Sequence, residues 1–155
     1  MIAMDLAREL KVAGLPWTPH RGDLAMDRLN IPYIVVRDGA DEAGGVEIDT
    51  GRGVERKPSL SLTWIPRLDQ LLAFLARYGR TDLLARPVGA GRKDVRWQVT
   101  IFPPSPDRPS PGWTPGPAPR HFEASDGADA AGQALHFLLA VVGWRPGPPL
   151  AGESR

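Results

Sequence analysis

The chain contains no cysteine, and its 155 residues carry a formal net charge of only +1. The absence of cysteine excludes disulfide bonds, zinc–thiolate centres and thiol nucleophiles. The balanced charge gives no global attraction to nucleic acid or to an anionic membrane. The longest apolar runs, of which 137–142 is one, fall far short of the roughly 20 residues of a transmembrane helix. With no basic leader before an apolar run, the sequence predicts a cytoplasmic protein without a membrane partner.

Glycine and proline are abundant, at 17 residues each. Eight of the prolines fall within residues 103–119, where their density rules out a helix or a strand ladder. The length suits one domain. The sequence therefore predicts a single domain over residues 1–145, with a proline-rich loop at 103–119 inside it and a disordered tail at 146–155.

Hydrophobic periodicity predicts three helices and four or five strands. Apolar residues recur at helical spacing in residues 3–13, 66–78 and 126–142, with Gly14 placed to end the first helix and Asp126 to cap the last. Alternating or β-branched runs predict strands at 31–36, 46–49, 59–64 and 94–102, and a short one at 120–123. The expected fold is α+β, an antiparallel sheet of about four to five strands with three helices mainly on one face.

Phosphate-binding loops, the dinucleotide-binding glycine pattern, HExxH and GxSxG are all absent, which favours a non-catalytic protein and indicates no cofactor. One acidic and basic set, Asp49 with Glu55, Arg56 and Lys57, resembles the motif of several metal-dependent nucleases. In those enzymes carboxylates hold magnesium and the lysine steadies the attacking water. The sequence places Glu55 in a glycine-rich turn. A metal-dependent nuclease or hydrolase is the third hypothesis.

Histidines near carboxylates are the other candidate for metal or acid–base chemistry. His121 and Glu123 should share one face of a strand, and His20 lies near Asp23. Nothing in the sequence brings these pairs together with His136. No metal ligand is therefore predicted.

Basic residues exceed acidic ones in the middle of the chain. Between Trp64 and Trp97 the basic residues are Arg67, Arg77, Arg80, Arg86, Arg92, Lys93 and Arg96, and the acids are Asp69, Asp82 and Asp94. Arg92 and Lys93 lie in a glycine-rich turn suited to phosphate contacts, and Trp97 or Trp113 could stack on a base if exposed. Nucleic-acid binding is thus the second hypothesis.

The leading hypothesis is a small interaction or regulatory module that binds another protein or a second copy of itself, as a homodimer. Exposed tryptophans are typical of such surfaces, and Trp17, Trp113 and Trp144 are the candidates. The segment around Arg108, with Pro106, Pro109 and Pro111, is similar to the PxxP ligands of SH3-like domains. The layout also resembles that of many small bacterial or phage-encoded domains, a likeness that implies no activity.

Overall fold

The computed structural model describes residues 1–88, 94–103 and 118–146. In these ranges the chain forms three α-helices and two antiparallel sheets, which confirms the α+β class. The single domain stays a prediction. Residues 147–155 of the tail and residues 104–117 of the proline-rich segment lie outside the described ranges. Within those ranges no helix combines the length and hydropathy needed to cross a bilayer.

The predicted helices are present and bury the expected faces. They are α1 (Met4–Val12), α2 (Leu68–Tyr78) and α3 (Gly127–Ala140). α1 buries Ala7 and Leu10, and α2 buries Leu71 and Leu75. Gly14 has a φ of 91°, the left-handed conformation in which glycine commonly ends a helix.

α3 is the central element of the larger core, and its predicted cap is confirmed. The Asp126 carboxylate accepts a hydrogen bond from the Ala128 amide at 2.7 Å and one from the Met1 ammonium at 3.1 Å. Gly132 lets α1 approach closely, because a Cβ at that position would lie 2.6 Å from Ile2 Cδ1. α3 thereby packs against both α1 and α2.

The first sheet has five strands in the order β4-β3-β2-β1-β5. They are β1 (Leu24–Met26), β2 (Pro32–Val35), β3 (Gly45–Asp49), β4 (Val54–Pro58) and β5 (Thr63–Ile65). A flat sheet of this kind would hold its edges about 19 Å apart. The connection between those edges includes a 3-10 turn at Ser59–Ser61 and spans only roughly 13 Å. The sheet must therefore curl to bring β4 towards β5.

The curled sheet encloses a small core of its own, made of Ala25, Tyr33, Val35, Val46, Ile48 and Leu62. Hydrogen bonds among Asp27, Tyr33 and Lys57, which we call the clasp, close this core. The Tyr33 hydroxyl donates to the Asp27 carboxylate at 2.7 Å, and Lys57 Nζ donates to the Tyr33 oxygen at 2.8 Å. Lys57 also stands 4.4 Å from the Tyr33 ring centroid. Because Asp27 follows β1 and Lys57 lies on β4, the clasp joins strands that are not neighbours in the sheet.

The second sheet has the order β6-β7-β8. Its strands are β6 (Thr81–Val88), β7 (Asp94–Ile101) and β8 (Arg120–Ala124). Leu83, Val99 and Phe122 stand side by side in the register and pack into the core around α3. Trp97, considered above for stacking on a base if exposed, is half-buried and packs against this core.

Three parts of the structure differ from the sequence prediction. The strands divide into two sheets, and β1 and β6 were not predicted. Residues 51–58, predicted as a turn, contain β4, so Glu55 lies on a strand. The strand predicted at 59–64 is wrong in its first half, because the 3-10 turn breaks the alternation and leaves the Leu60 side chain 85% exposed.

We expect the clasp to weaken in acid. Hydrogen bonding from Tyr33, with smaller contributions from backbone amides and Lys57, outweighs desolvation and lowers the pKa of Asp27 to about 2 from its ordinary 3.8. A folded-state pKa below the unfolded value means that Asp27 stabilises the fold above about pH 4 and loses this effect as the pH falls towards 2.

The variant Asp27→Asn should have a lower melting temperature near neutral pH and a shallower dependence on pH between about 4 and 2. Circular dichroism melts over that range measure both. Glu42→Gln is the control, because Glu42 is exposed before β3 and forms no ion pair among the described residues; it should follow the wild-type curve. If the melting temperatures of wild type and Asp27→Asn depended on pH in the same way, Asp27 would not be the source of this pH-dependent stability.

Candidate functional site

A groove of about 280 Å³ lies between α1 and the connection from β4 to β5. Its lining is mainly apolar and consists of Ala7, Lys11, Leu15, Trp17, Ser59, Leu60, Leu62 and Trp64. We call it the indole groove. These residues come from two separate stretches of the chain, 7–17 and 59–64, so the groove exists only when the first sheet and α1 are in place.

Two stacked indoles contribute to the wall of the indole groove. The ring centroids of Trp17 and Trp64 are 6.4 Å apart with an interplanar angle of 7°. Phe74 of α2 meets the edge of Trp64 at 6.2 Å. Trp64 is buried, whereas Trp17 is half-buried and lies towards the rim. The indole N–H of Trp64 has no hydrogen-bond partner among the described residues, an uncommon condition for a buried donor.

Asp23 holds Trp17 in position. Its side chain is only 2% exposed, yet one carboxylate oxygen accepts from Trp17 Nε1 at 3.0 Å and from the His20 amide at 3.0 Å. The other oxygen accepts from Gln70 Nε2 of α2 at 2.8 Å. A buried charge is tolerated when hydrogen bonds replace its hydration, and here three donors do so. Because Asp23 is buried, the Arg21-Gly22-Asp23 tripeptide does not offer its carboxylate to a partner.

Lys11 ties α1 to the opposite wall. Its ammonium group donates to the carbonyl oxygens of Leu60 at 2.8 Å and Leu62 at 2.7 Å. Burial lowers the pKa of Lys11, and the positive charge of Arg28 lowers it further. An ammonium group has three N–H donors, so one is left for a ligand. The polar part of the groove is therefore cationic.

The rim of the indole groove is also apolar. Leu60, one of the lining residues, is 85% exposed. Exposed apolar side chains that adjoin a groove are more informative than isolated ones, because contiguous apolar surface marks interaction sites.

Of the predicted binding residues, the structure describes only Trp17, which it places in the indole groove. The others, Arg92, Lys93, Arg108 and Trp113, lie outside the described residues, as do Pro106, Pro109 and Pro111. Trp144 is half-buried and packs edge-on against Tyr78 at 5.7 Å.

Three of the four nuclease-like residues form contacts within the first sheet, and the fourth, Glu55, is exposed on β4. Asp49 accepts from the Gly51 amide within its own turn at 2.7 Å, and Arg56 pairs with Asp41. Lys57 belongs to the clasp with Asp27. In the described part of the chain, no three histidine or carboxylate side chains converge to hold a metal ion.

The histidine pairs also lie apart. His121 and Glu123 share a strand face, but they bond across to β7, His121 Nδ1 to the Thr100 hydroxyl at 3.0 Å and Glu123 to the Gln98 amide at 3.0 Å. Asp129 accepts from the Ala3 amide at 2.6 Å.

The central arginines divide into two groups. Arg67 pairs with Asp69 at 3.2 Å and Arg80 with Asp82 at 3.6 Å, so their charges are offset. Arg86 and Arg96 face each other on β6 and β7, and both are exposed. Nucleic-acid binding through this region stays a prediction.

A second cavity of about 150 Å³ lies beside β3 and is polar. Two of its lining residues, Arg37 and Glu47, pair at 3.3 Å, and Asp41 pairs with Arg56. Its charges are thus largely matched within the chain.

Sequence reasoning missed Lys11, Leu60 and Trp64 as groove residues. Trp64 was placed correctly as an inward residue, but nothing local shows that it stacks on Trp17. Lys11 looks like an ordinary polar residue near a helix end. The one local signal is the position of Trp17 between Pro16 and Pro19, where no regular element accounts for a large aromatic side chain.

No protein-family model matches this chain, and neither a curated protein nor a solved structure does so. The site must therefore be interpreted from its own geometry.

Removing the Asp23 carboxylate should destabilise the fold and release Trp17. Asp23→Ala leaves the donors of Trp17 and Gln70 without an acceptor, and we expect a loss of about 3 kcal/mol in the free energy of unfolding. Urea titration followed by tryptophan fluorescence measures it. Asp38→Ala is the matched control, because Asp38 also accepts a backbone hydrogen bond, from Arg21, but is exposed. Equal stability of the two variants would contradict the role of Asp23.

Proposed function

We propose that this protein is an interaction module that binds an extended segment of a partner protein in the indole groove. The observation that carries the proposal is the stacked pair of Trp17 and Trp64 in an apolar groove with an exposed apolar rim. Aromatic side chains in such settings supply much of the binding energy of protein interfaces.

The groove is small enough for a few side chains of a peptide to fill it. Its volume of about 280 Å³ lies at the lower limit of the range of about 300–1,000 Å³ that small-molecule sites occupy. One or two aliphatic or proline side chains would fill it. Flat indole faces also suit an extended or polyproline II backbone, which needs no reshaping of the site.

The charge of the groove indicates which kind of residue lies next to the apolar side chain in the ligand. The remaining N–H of Lys11 and the nearby positive charge of Arg28 attract an anion. The ligand we propose is therefore an extended segment with an aliphatic or proline residue next to an acidic one.

The chemistry of the lining supports binding over catalysis. Lys11 is the one ionisable side chain among the groove residues, and two of its N–H groups are engaged by backbone carbonyls. The lining includes the Ser59 hydroxyl but no histidine or carboxylate that could serve as its base.

A phage-displayed peptide library selected on the full-length protein tests the proposal. Enriched peptides should place an aliphatic or proline residue beside an acidic one. Synthetic versions should shift the indole N–H resonance of Trp17 in NMR spectra, with that resonance assigned through Trp17→Phe.

Trp17→Ala and Leu60→Asp should each weaken binding of these peptides by roughly tenfold or more, since both remove apolar contact in the groove. Leu60 is exposed, so its replacement leaves the core intact. The control is Val141→Asp, an equally apolar exposed position, 69% accessible, outside the groove lining. Absence of enrichment, or equal affinity for Leu60→Asp and Val141→Asp, would overturn the proposal.

A further inference from the structure

Among the described strands, β6 is an edge of the second sheet. It pairs there with β7 alone, over all eight of its residues from Thr81 to Val88. Leu84 is 48% exposed, and Ala85 is exposed as well. Long edge strands are templates for pairing with another strand unless they are blocked.

The register shows which backbone groups of β6 face the open side. The Phe102 amide donates to the Arg80 carbonyl at 3.2 Å, so the Arg80–Phe102 position, one step beyond Thr81–Ile101, is a hydrogen-bonded pair. Hydrogen-bonded and non-hydrogen-bonded pairs alternate along an antiparallel ladder. The residues that turn their N–H and C=O groups away from β7 are therefore Thr81, Leu83 and Ala85.

Pro87 belongs to this same outward-facing set, which explains why a proline fits in β6. Its missing N–H would have pointed to the open side, so the ladder with β7 loses no hydrogen bond. Pairing along the edge can thus extend from Thr81 to Ala85 and ends at Pro87.

The charged side chains of β6 are not balanced by those of β7. Arg86 stands directly across from Arg96, and like charges in opposed positions destabilise a strand pair. Among the described residues, neither Arg86 nor Arg96 forms an ion pair. Asp82 is four residues before Arg86 on the same strand face. It is exposed, and its partner within the chain, Arg80, lies at 3.6 Å in an exposed ion pair.

We infer that two copies of this protein associate through antiparallel pairing of their β6 strands, with the twofold axis at Leu84. In this register Leu84 meets Leu84 of the second copy. Asp82 meets Arg86 of the second copy, and the symmetry repeats that pair on the other side. Leu83 and Ala85 supply the backbone hydrogen bonds, and the two three-stranded sheets become one of six strands.

The spacing favours a second copy as the occupant over an unrelated strand. A sequence that places opposite charges two residues before and two residues after an exposed leucine is complementary to itself when reversed. Each new ion pair also gives Arg86 the acidic neighbour that offsets its repulsion from Arg96. This inference does not depend on the function proposed for the indole groove.

Analytical ultracentrifugation of the full-length protein over a concentration series tests the inference, after nuclease treatment. The wild type should pass from monomer to dimer. Arg86→Glu places two acids opposite each other in the dimer and should raise the dissociation constant by about tenfold or more. In the monomer the same change puts Glu opposite Arg96, so the variant keeps a favourable strand pair and should fold.

A charge swap provides the rescue. The double variant Asp82→Arg with Arg86→Glu restores two opposite-charge pairs across the axis and should return the dissociation constant to near that of the wild type. Ala85→Pro should also abolish dimerisation, since it removes an edge donor that the ladder with β7 does not use. Arg52→Glu, the same charge change in the turn between β3 and β4, is the control and should dimerise normally.

Three results would overturn the inference. The wild type could stay monomeric throughout the series, or Arg86→Glu could dimerise as well as Arg52→Glu. The double variant could also remain as weak as Arg86→Glu although circular dichroism shows it folded. A higher mass that disappears on nuclease treatment would instead assign Arg86 and Arg96 to nucleic acid.

Discussion

Asp23 is a buried carboxylate on which three parts of the molecule converge. It accepts hydrogen bonds from the Trp17 indole, from the His20 amide and from Gln70 of α2. Its own backbone carbonyl accepts from the Val35 amide at 2.9 Å. The chain before β1 and the second helix therefore meet at the side chain of a residue whose backbone pairs with β2. Since an unpaired charge could not stay buried, the three hydrogen bonds to the carboxylate depend on one another.

The indole groove is a consequence of that constraint together with the curl of the first sheet. The short link from β4 to β5 forces the edges of the sheet together, and the 3-10 turn in this link pushes Leu60 outwards. Asp23 then holds Trp17 over Trp64, and Lys11 ties α1 to the carbonyls of the link. None of these contacts is local in sequence, yet together they define one wall and one rim.

The difference between local signals and tertiary contacts explains which parts of the fold and of the site could be predicted from the sequence. α3 was predicted with its cap because its apolar face and Asp126 are local signals, and β7 because its alternation is unbroken. β1 has three residues and β6 contains Pro87, so neither has a strand pattern that can be recognised without its partner. Trp17 was selected as a candidate binding residue, whereas Lys11, Leu60 and Trp64 join it only through tertiary contacts.

The indole groove and the β6 edge would bind through different interactions, and this difference affects how the two sites would act together. In the proposed complexes, the groove would recognise side chains through aromatic surface and one cation, and its volume of about 280 Å³ would limit its affinity for a short segment. The edge would recognise backbone groups and a symmetric charge pattern. The proposed twofold dimer would carry two grooves, so a partner with two suitable segments would bind the second intramolecularly. Avidity can then exceed the affinity of one groove by about 10²–10⁴-fold without any new contact. A weak groove on a self-associating scaffold is thus consistent with selective binding of repeated or dimeric partners.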